Sequence, residues 1–207
     1  MKNTSIAGFF EGAYKVTPQI TLSVGGRYTV DKKEGYDLVQ GDPGNPRFRA
    51  VPTLVDFGPT KWKAFTPRVY LKYEPTEALN FYGTVAKGFK GGGYSHTQNA
   101  VSGLTTPFAP EKVTNYEVGA KTRLFDNRAQ VNLSVFRQDT KNLQVTYFEN
   151  GASFTRSVGS SRQQGVEFES TVQILENLRA FLNYSYIDAR YRVYNTGTAS
   201  YAGNFMP

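Results

Sequence analysis

The stretch KWKAFTPRVYLKYEPTEALNFYGTVAKGFKGGGY, residues 61–94, predicts one long β-hairpin. Apolar and polar side chains alternate along both arms, which is the pattern of a strand with two different faces. The segment EPTEA, residues 74–78, interrupts the alternation with a proline and two acids and therefore predicts the turn. Each arm exceeds the roughly 5–6 residues of an ordinary strand and matches the roughly 9–11 residues of a membrane-spanning barrel strand.

The same alternation recurs outside this hairpin and predicts about eight long antiparallel strands in all. Tight turns are expected near Pro18, Thr76, Asp126 and Asn177. The connections between the resulting hairpins are long and rich in polar residues. Short turns at one rim and long loops at the other are typical of bacterial outer-membrane barrels. The expected fold is therefore all-β: over residues 1–207, a segment of an antiparallel transmembrane β-barrel with short periplasmic turns and long extracellular loops.

Two local features refine this expectation. The strand that begins near Val131 is predicted to continue through Leu143, Val145 and Tyr147. Pro67 lies inside a predicted strand, where it removes a backbone donor, so a bulge or a position at the aqueous rim is expected there.

The alternation also predicts which side chains face lipid and which face the lumen. The lipid-facing set is Phe65, Val69, Leu71, Phe81, Val85, Tyr116, Val118, Val131, Leu133, Val166, Phe168 and Val172. The lumen-facing set is Arg27, Arg68, Lys72, Glu117, Lys121, Arg123, Glu167 and Glu169. Charges of both signs exclude a dry sandwich core and fit a hydrated lumen or one filled by a polar plug. The alternative is a soluble or secreted β-rich ligand-binding module with one face in ordinary solvent.

Composition restricts the classes of function. Hydrophobic residues make up 39% of the chain, and no apolar run reaches the roughly 18 residues of a transmembrane helix. The absence of Cys excludes disulfides and thiolate metal sites. The net charge of +7 comes from scattered basic residues, so a nucleic-acid partner is not expected. No apolar signal sequence precedes the first strand, so either an export signal is missing or the protein is not exported.

No group of residues supports catalysis, so neither an enzyme nor a bound cofactor or metal is expected. The chain has one histidine, His96, in a glycine-rich loop, and no serine has a histidine nearby in sequence. Glu167 and Glu169 lie on one strand face, where a position in the lumen explains them more simply than acid–base chemistry does. The segment GFKGGG, residues 88–93, lacks the spacing of a phosphate-binding loop.

The long loops are the segments best placed to contact a ligand, since binding residues concentrate on loops held by a rigid scaffold. These loops are expected at residues 31–60, 91–112 and 195–207. The polar-aromatic candidates within or beside them are Tyr36, Tyr94, His96 and Phe108. The alternative for each is a structural role or contact with lipopolysaccharide.

Four segments, taken together, resemble the later part of the barrel of TonB-dependent receptors from Gram-negative outer membranes. They are PRVYLKYEPTEALNFYGTVAKGFKGGGYS (67–95), FAPEKVTNYEVGAKTRLFDNRAQVNLSVFRQDTKNLQV (108–145), SVGSSRQQGVEFEST (157–171) and LNYSYIDARY (182–191). The resemblance covers most of the chain from about residue 21 onward. It rests on the order and spacing of the set.

The resemblance implies a barrel of about 22 strands around an N-terminal plug, with a ligand bound from outside. TonB and its inner-membrane motor complex would act through the plug, and the barrel would contact outer-membrane lipid and lipopolysaccharide. The expected ligand is an iron chelate, most of all a ferric siderophore. Haem receptors of the family commonly carry Phe-Arg-Ala-Pro near this hairpin, where this chain has GFKGG, residues 88–92. An oligosaccharide or another bulky nutrient remains an alternative ligand.

The resemblance extends to only about eight strands and to no plug, TonB-contact segment or closing strand. The chain is therefore expected to be a fragment of a receptor with two unpaired sheet edges. Expressed alone, it is expected to aggregate or to need detergent. An outer-membrane barrel enzyme is a third class of function, for which the sequence offers no site.

Overall fold

A computed structural model of the chain describes residues 1–39, 53–95, 107–149, 152–194 and 200–206. Its strands are β1 (Lys2–Lys15), β2 (Ile20–Val39), β3 (Thr53–Thr76), β4 (Leu79–Lys90), β5 (Glu111–Leu124), β6 (Ala129–Lys141), β7 (Gln144–Glu149), β8 (Ala152–Ser157), β9 (Ser160–Leu175) and β10 (Leu178–Val193). Among the described residues, no helix is long and apolar enough to span a membrane.

The long strands form one eight-stranded antiparallel sheet in the order β1-β2-β3-β4-β5-β6-β9-β10. Sequence neighbours pair throughout, except that β6 pairs with β9 across the separate β7-β8 hairpin. The sheet is open, with β1 and β10 at its two edges. The predicted all-β antiparallel architecture of about eight long strands is therefore confirmed.

The two ends of the sheet differ in their connections. At one end, called here the turn end, residues 16–19, 77–78, 125–128 and 176–177 join adjacent strands. Phe125, Asp126 and Asn127 adopt φ angles of 53°, 52° and 67°, a left-handed conformation that the short polar side chains of Asp and Asn tolerate well. The longer connections all leave the opposite end, called here the loop end. The predicted turns and rim asymmetry are confirmed.

The predicted loop at 31–60 is wrong at both of its ends. The ladder between β2 and β3 runs from the Ile20–Tyr73 pair to the Val39–Thr53 pair, so both strands extend well beyond the apolar alternation. Backbone hydrogen bonds between the strands do not depend on apolar side chains, and the polar composition of this region concealed the pairing. Residues 40–52 lie outside the described residues.

One of the two local expectations is wrong, and of the two alternatives for Pro67 the bulge is wrong. The strand that contains Val131 ends at Lys141, because Asn142 turns the chain with a φ of 54° and a separate hairpin, β7-β8, follows. No bulge occurs at Pro67, which pairs with Gly26 in unbroken register. The pairing of β3 with β4 extends only to Arg68, so the donor missing at Pro67 removes no hydrogen bond from that ladder.

Register places the predicted lipid-facing and lumen-facing sets on opposite faces of the sheet. One row across the apolar face runs Leu22, Leu71, Gly83, Val118, Val135, Val166 and Tyr186. The next row toward the turn end on the polar face runs Thr21, Lys72, Tyr82, Gly119, Ser134 and Glu167. The sheet thus has one mostly apolar face and one mostly polar face.

Candidate ligand-binding face

The polar face carries a row of amide and guanidinium side chains that lies toward the loop end of β5, β6 and β9. Arg68, Asn115, Gln138 and Gln163 stand on β3, β5, β6 and β9, with only Ala86 of β4 between the first two. These groups offer several hydrogen-bond donors and one fixed positive charge. The row can therefore bind a polar or anionic ligand.

Aromatic rings continue from this row toward the turn end. The Arg68 guanidinium lies 5.7 Å from the ring centre of Tyr70, which stacks on Tyr82 at 5.9 Å. The Tyr82 hydroxyl donates to Glu117 Oε1 at 2.7 Å, and Lys121 Nζ lies 5.4 Å from the Tyr82 ring. These contacts connect polar-face side chains of three neighbouring strands, β3, β4 and β5, in one network.

The remaining predicted lumen-facing residues also lie on the polar face and contact their neighbours. Asn132 Nδ2 donates to Glu169 Oε2 at 3.2 Å, and Lys72 Nζ lies 2.8 Å from Glu74 Oε2. Arg27 Nε donates to Thr29 Oγ1 at 3.2 Å, while Arg123 Nη2 donates to the Glu77 carbonyl at 2.5 Å. Glu167 joins Glu169, Lys121 and Tyr82 around a small cavity of about 100 Å³.

An aromatic cluster covers the polar face at the loop end. Phe57, Trp62 and Tyr94 are buried to 1%, 8% and 7% exposure, and Phe89 packs against them. The Phe57 and Tyr94 ring centres are 5.1 Å apart, and the Tyr94 hydroxyl hydrogen-bonds Thr60. Sequence reasoning missed Phe57, which falls in the segment expected to be loop. The sequence feature that could have indicated this buried residue is the aromatic content of residues 57–62, beside a polar stretch.

The glycine run 91–93 lets the chain cross this cluster at close range. A Cβ on Gly92 would overlap the Phe108 carbonyl oxygen and lie 2.6 Å from the Trp62 indole nitrogen. A Cβ on Gly93 would lie 2.7 Å from the Phe108 ring. Lys33 Nζ donates to the Gly92 carbonyl at 2.6 Å and lies 5.7 Å from the Trp62 ring centre. Glycine is therefore required at these positions for close packing against Trp62 and Phe108, and the run is not explained as a phosphate-binding loop.

The loop candidates for ligand contact do not converge on one point. Tyr94 is buried in the cluster, which favours a role in holding the loop segment. Phe108 pairs with Gly93 through an isolated bridge. Tyr36 is 72% exposed and pairs with Asp56, on the opposite face of β2 from Lys33. His96 lies outside the described residues. Their contact with a ligand stays a prediction.

A second aromatic cluster lies at the loop end of β10. The ring of Tyr194 is 4.9 Å from that of Tyr191 and 5.1 Å from that of Tyr201. Burial, reinforced by these phenols, raises the pKa of Tyr194. The contacts fold residues 200–206 back onto β10, where Arg190 lies 4.0 Å from the Phe205 ring centre.

Replacing Gly92 with alanine should loosen the segment that crosses the aromatic cluster. The added methyl group must displace Trp62 or the Phe108 backbone, and overpacking of this kind costs about 1–3 kcal/mol. Amide hydrogen exchange of a peptide spanning residues 89–95, measured in the full-length receptor, should be faster. Gly88→Ala is the matched control, since its Cβ meets Val113 Cβ at an ordinary 3.6 Å. Unchanged exchange in both variants would contradict the packing role of Gly92.

The family model described as TonB dependent receptor-like, beta-barrel matches residues 1–207. The chain belongs to this family. Among curated proteins, the metal-pseudopaline receptor CntO of Pseudomonas aeruginosa is 30% identical over 61% of this chain and 17% of that receptor. The ferric-pyoverdine 358 receptor of Pseudomonas putida is 26% identical over 58% of this chain and 15% of that receptor. The matched part of the chain thus spans about a sixth of the length of these relatives.

Solved structures show the same fold. The ferric yersiniabactin uptake receptor FyuA of Yersinia pestis superposes with a TM-score of 0.74 at 22% identity, covering 99% of this chain and 29% of that one. The siderophore receptor PiuA of Acinetobacter baumannii gives 0.71 at 18% identity, covering 99% and 29%. The TonB-dependent receptor barrel is therefore confirmed as the fold.

Family membership places the receptor barrel in the outer membrane of a Gram-negative bacterium and decides against the soluble binding module. Proteins of this family are transport receptors. The expectation that the chain has no enzymatic role agrees with this role of the family. In outer-membrane barrels the apolar face contacts lipid, the polar face lines the interior and the longer loops are extracellular.

Proposed function

We propose that this barrel segment belongs to a receptor for TonB-energised uptake of a metal chelate, most of all a ferric siderophore. The observation that carries the proposal is the polar-face row of Arg68, Asn115, Gln138 and Gln163. It lies near the loop end of a barrel whose relatives include named receptors for metal-pseudopaline and ferric pyoverdine. Siderophore chelates are bulky, rich in oxygen and often anionic, which suits this set of donors.

The lower part of the polar face supports a polar plug inside the barrel. Asn80 Oδ1 is buried and has no hydrogen-bond partner among the described residues. Lys121 and Asn132 neighbour it across β5 and β6. A buried polar atom without a partner is costly, which favours a rearrangement that pairs Asn80 when a polar segment of the receptor packs against this face. TonB and its motor complex would act on the chelate through that plug.

Transport is tested with the full-length receptor in cells that lack their own siderophore receptors. The probes are ⁵⁵Fe-loaded yersiniabactin, pyoverdine and a catecholate, and metal-loaded pseudopaline. We expect uptake of at least one probe in cells with TonB and none in cells without it. Equal uptake in the two strains, or no binding of any probe, would reject the proposal.

Replacing Arg68 with glutamine should weaken binding of an anionic chelate about tenfold. A hydrogen bond to a charged group contributes about 1.5–3 kcal/mol, and each 1.4 kcal/mol is a factor of ten in Kd. Fluorescence quenching by the transported probe gives the Kd. Lys87→Gln is the control, because Lys87 follows the Arg68 partner Ala86 but lies on the apolar face. An equal loss in both variants would point to long-range electrostatics and away from contact at Arg68.

A further inference from the structure

The polar-face row that contains Arg68 extends across two further strands, away from the amide side chains. Arg68 of β3 pairs with Gly25 of β2, and Gly25 pairs with Glu11 of β1. A carboxylate and a guanidinium group therefore stand on either side of a position that has no side chain. Neighbouring strands lie about 4.8 Å apart, so the Cα atoms of Glu11 and Arg68 are separated by about 10 Å.

The missing side chain leaves a cleft between these two charges. Its volume is about 210 Å³, and it is called here the Glu11–Arg68 cleft; it is lined by Glu11, Ser23, Gly25, Arg68 and Tyr70. A Cβ built on Gly25 would lie 3.7 Å from both Cβ and Cγ of Glu11, so the Glu11 side chain lies along the space above Gly25. The carboxylate thus forms one wall of the cleft and the guanidinium group the other.

The two charges of the cleft do not neutralise each other. Glu11 and Arg68 form no ion pair with each other or with another described residue. The Arg68 guanidinium instead lies 5.7 Å from the ring centre of Tyr70 on its own strand. Arg27, on the same face of β2, donates to Thr29 Oγ1 at 3.2 Å and is thereby directed toward the loop end. Both charges are therefore available to a group that enters the cleft.

We propose that the Glu11–Arg68 cleft binds a zwitterionic group of the ligand, with an ammonium and a carboxylate a few bonds apart as in an α-amino acid. Arg68 would donate two parallel hydrogen bonds to the carboxylate, and Glu11 would accept from the ammonium. A group with a single charge fits less well, because Glu11 repels an anion and Arg68 repels a cation. The inference rests on the proposed transport function and narrows its ligand to a chelate with a free amino acid-like group.

The height of the cleft in the barrel indicates which part of such a chelate would reach it. The row descends from β9 to β1, because Gln163 lies near the loop end of β9 whereas Glu11 lies near the turn end of β1. A ligand that enters from the loop end would pass the amide side chains of the row before it reaches Glu11. We therefore expect the zwitterionic group on an arm that extends inward from the metal centre.

The proposal is tested with the purified full-length receptor and three ferric trihydroxamates that differ only at one end. The first ends in a free α-amino acid, the second in the N-acetyl derivative of that amino acid and the third in its methyl ester. Fluorescence quenching gives the Kd of each probe. Wild type should bind the free amino acid form about tenfold more tightly than either derivative, since each derivative lacks one charged hydrogen-bonding group.

Two variants assign the ends of the zwitterionic group to the walls of the cleft. Glu11→Gln should lose the preference over the N-acetyl form and keep the preference over the methyl ester. Arg68→Gln should lose the preference over the methyl ester and keep the other. Glu169→Gln is the matched control, because it removes a carboxylate from the same face that contacts Asn132 and lies outside the cleft. It should keep both preferences. Heat-modified gel mobility checks that every variant is folded.

The outcomes distinguish this inference from the transport function. Equal Kd values for the three probes, or no binding of any of them, would overturn the cleft proposal. So would lower stability in urea of both cleft variants with unchanged preferences, because another segment of the receptor would then occupy the cleft. TonB-dependent uptake of a different chelate beside equal Kd values would reject the cleft and support the transport function. The expected preferences without TonB-dependent uptake would support the cleft and reject the transport function.

Discussion

Replacing Leu133 with arginine in the full-length receptor is expected to destabilise the barrel by about 2–4 kcal/mol, the cost of a cation facing lipid near the bilayer midplane. Leu133 lies on the apolar face of β6, where it pairs with Ala120 and Phe168 and is 46% exposed. Asp139, near the loop end of the same strand, lies six positions further along. At about 3.4 Å per residue and a tilt of about 40°, that is about 15 Å of depth, close to mid-membrane.

The control is Asn132→Arg, which adds the same side chain one residue away. Asn132 lies on the polar face beside Glu169, so the new cation would gain a carboxylate partner and water. Its cost should stay below about 1 kcal/mol. Urea unfolding in lipid bilayers, followed by heat-modified gel mobility, measures both variants. Similar losses of stability would contradict the assignment of the two faces.

Replacing Gly165 with alanine should cost about 3 kcal/mol, at the upper end of the range for overpacking. A Cβ at Gly165 would overlap the Tyr186 carbonyl oxygen and lie 3.0–3.1 Å from the ring of Phe136. β9 is paired on both sides, with β6 and with β10, so its backbone cannot move aside without breaking a ladder. The Phe136 ring lies over the Gly165 backbone in the space that a side chain would fill.

Gly88→Ala again provides the matched comparison, because Gly88 is also a strand glycine on the polar face. Its Cβ would meet only Val113 Cβ, at 3.6 Å. Because glycine weakens a strand interior, that variant should be neutral or slightly more stable. The midpoint of urea unfolding of the full-length receptor distinguishes the two. A Gly165→Ala midpoint equal to that of Gly88→Ala would show that β10 does not approach β9 as closely as described.

The sequence was most informative about features that depend on near neighbours. Alternation placed Leu71 and Lys72 on opposite faces because successive side chains of a strand point in opposite directions. The turn near Asp126 was predictable because Asp and Asn tolerate left-handed backbone angles. The same reasoning failed for residues 31–39 and 53–60, where polar side chains lie on strands stabilised by long-range backbone pairing. It also failed at Asn142, where one left-handed residue ends β6.

The candidate ligand face was predictable only in part. The charged residues of the polar face follow from alternation, but the row of Arg68, Asn115, Gln138 and Gln163 depends on the register of four strands. The buried position of Tyr94 was not predictable either, because its neighbours Phe57 and Thr60 lie more than thirty residues earlier. An aromatic residue in a glycine-rich segment suggests ligand contact until the packing that covers it is known.

The amino-acid sequence by itself determined the class of strand, the two faces and the contrast between turn end and loop end. Each of these follows from side-chain chemistry over a few residues, and a period of two can be read without knowing any partner strand. The tertiary structure alone established which side chains meet across the sheet. Asp139 binds Arg162 of another strand, and Gly92 passes Trp62, because register joins residues that are far apart in the chain. No local pattern encodes that register, so the Arg137–Asp139–Arg162 group and the buried aromatic cluster emerge only when the strands are paired.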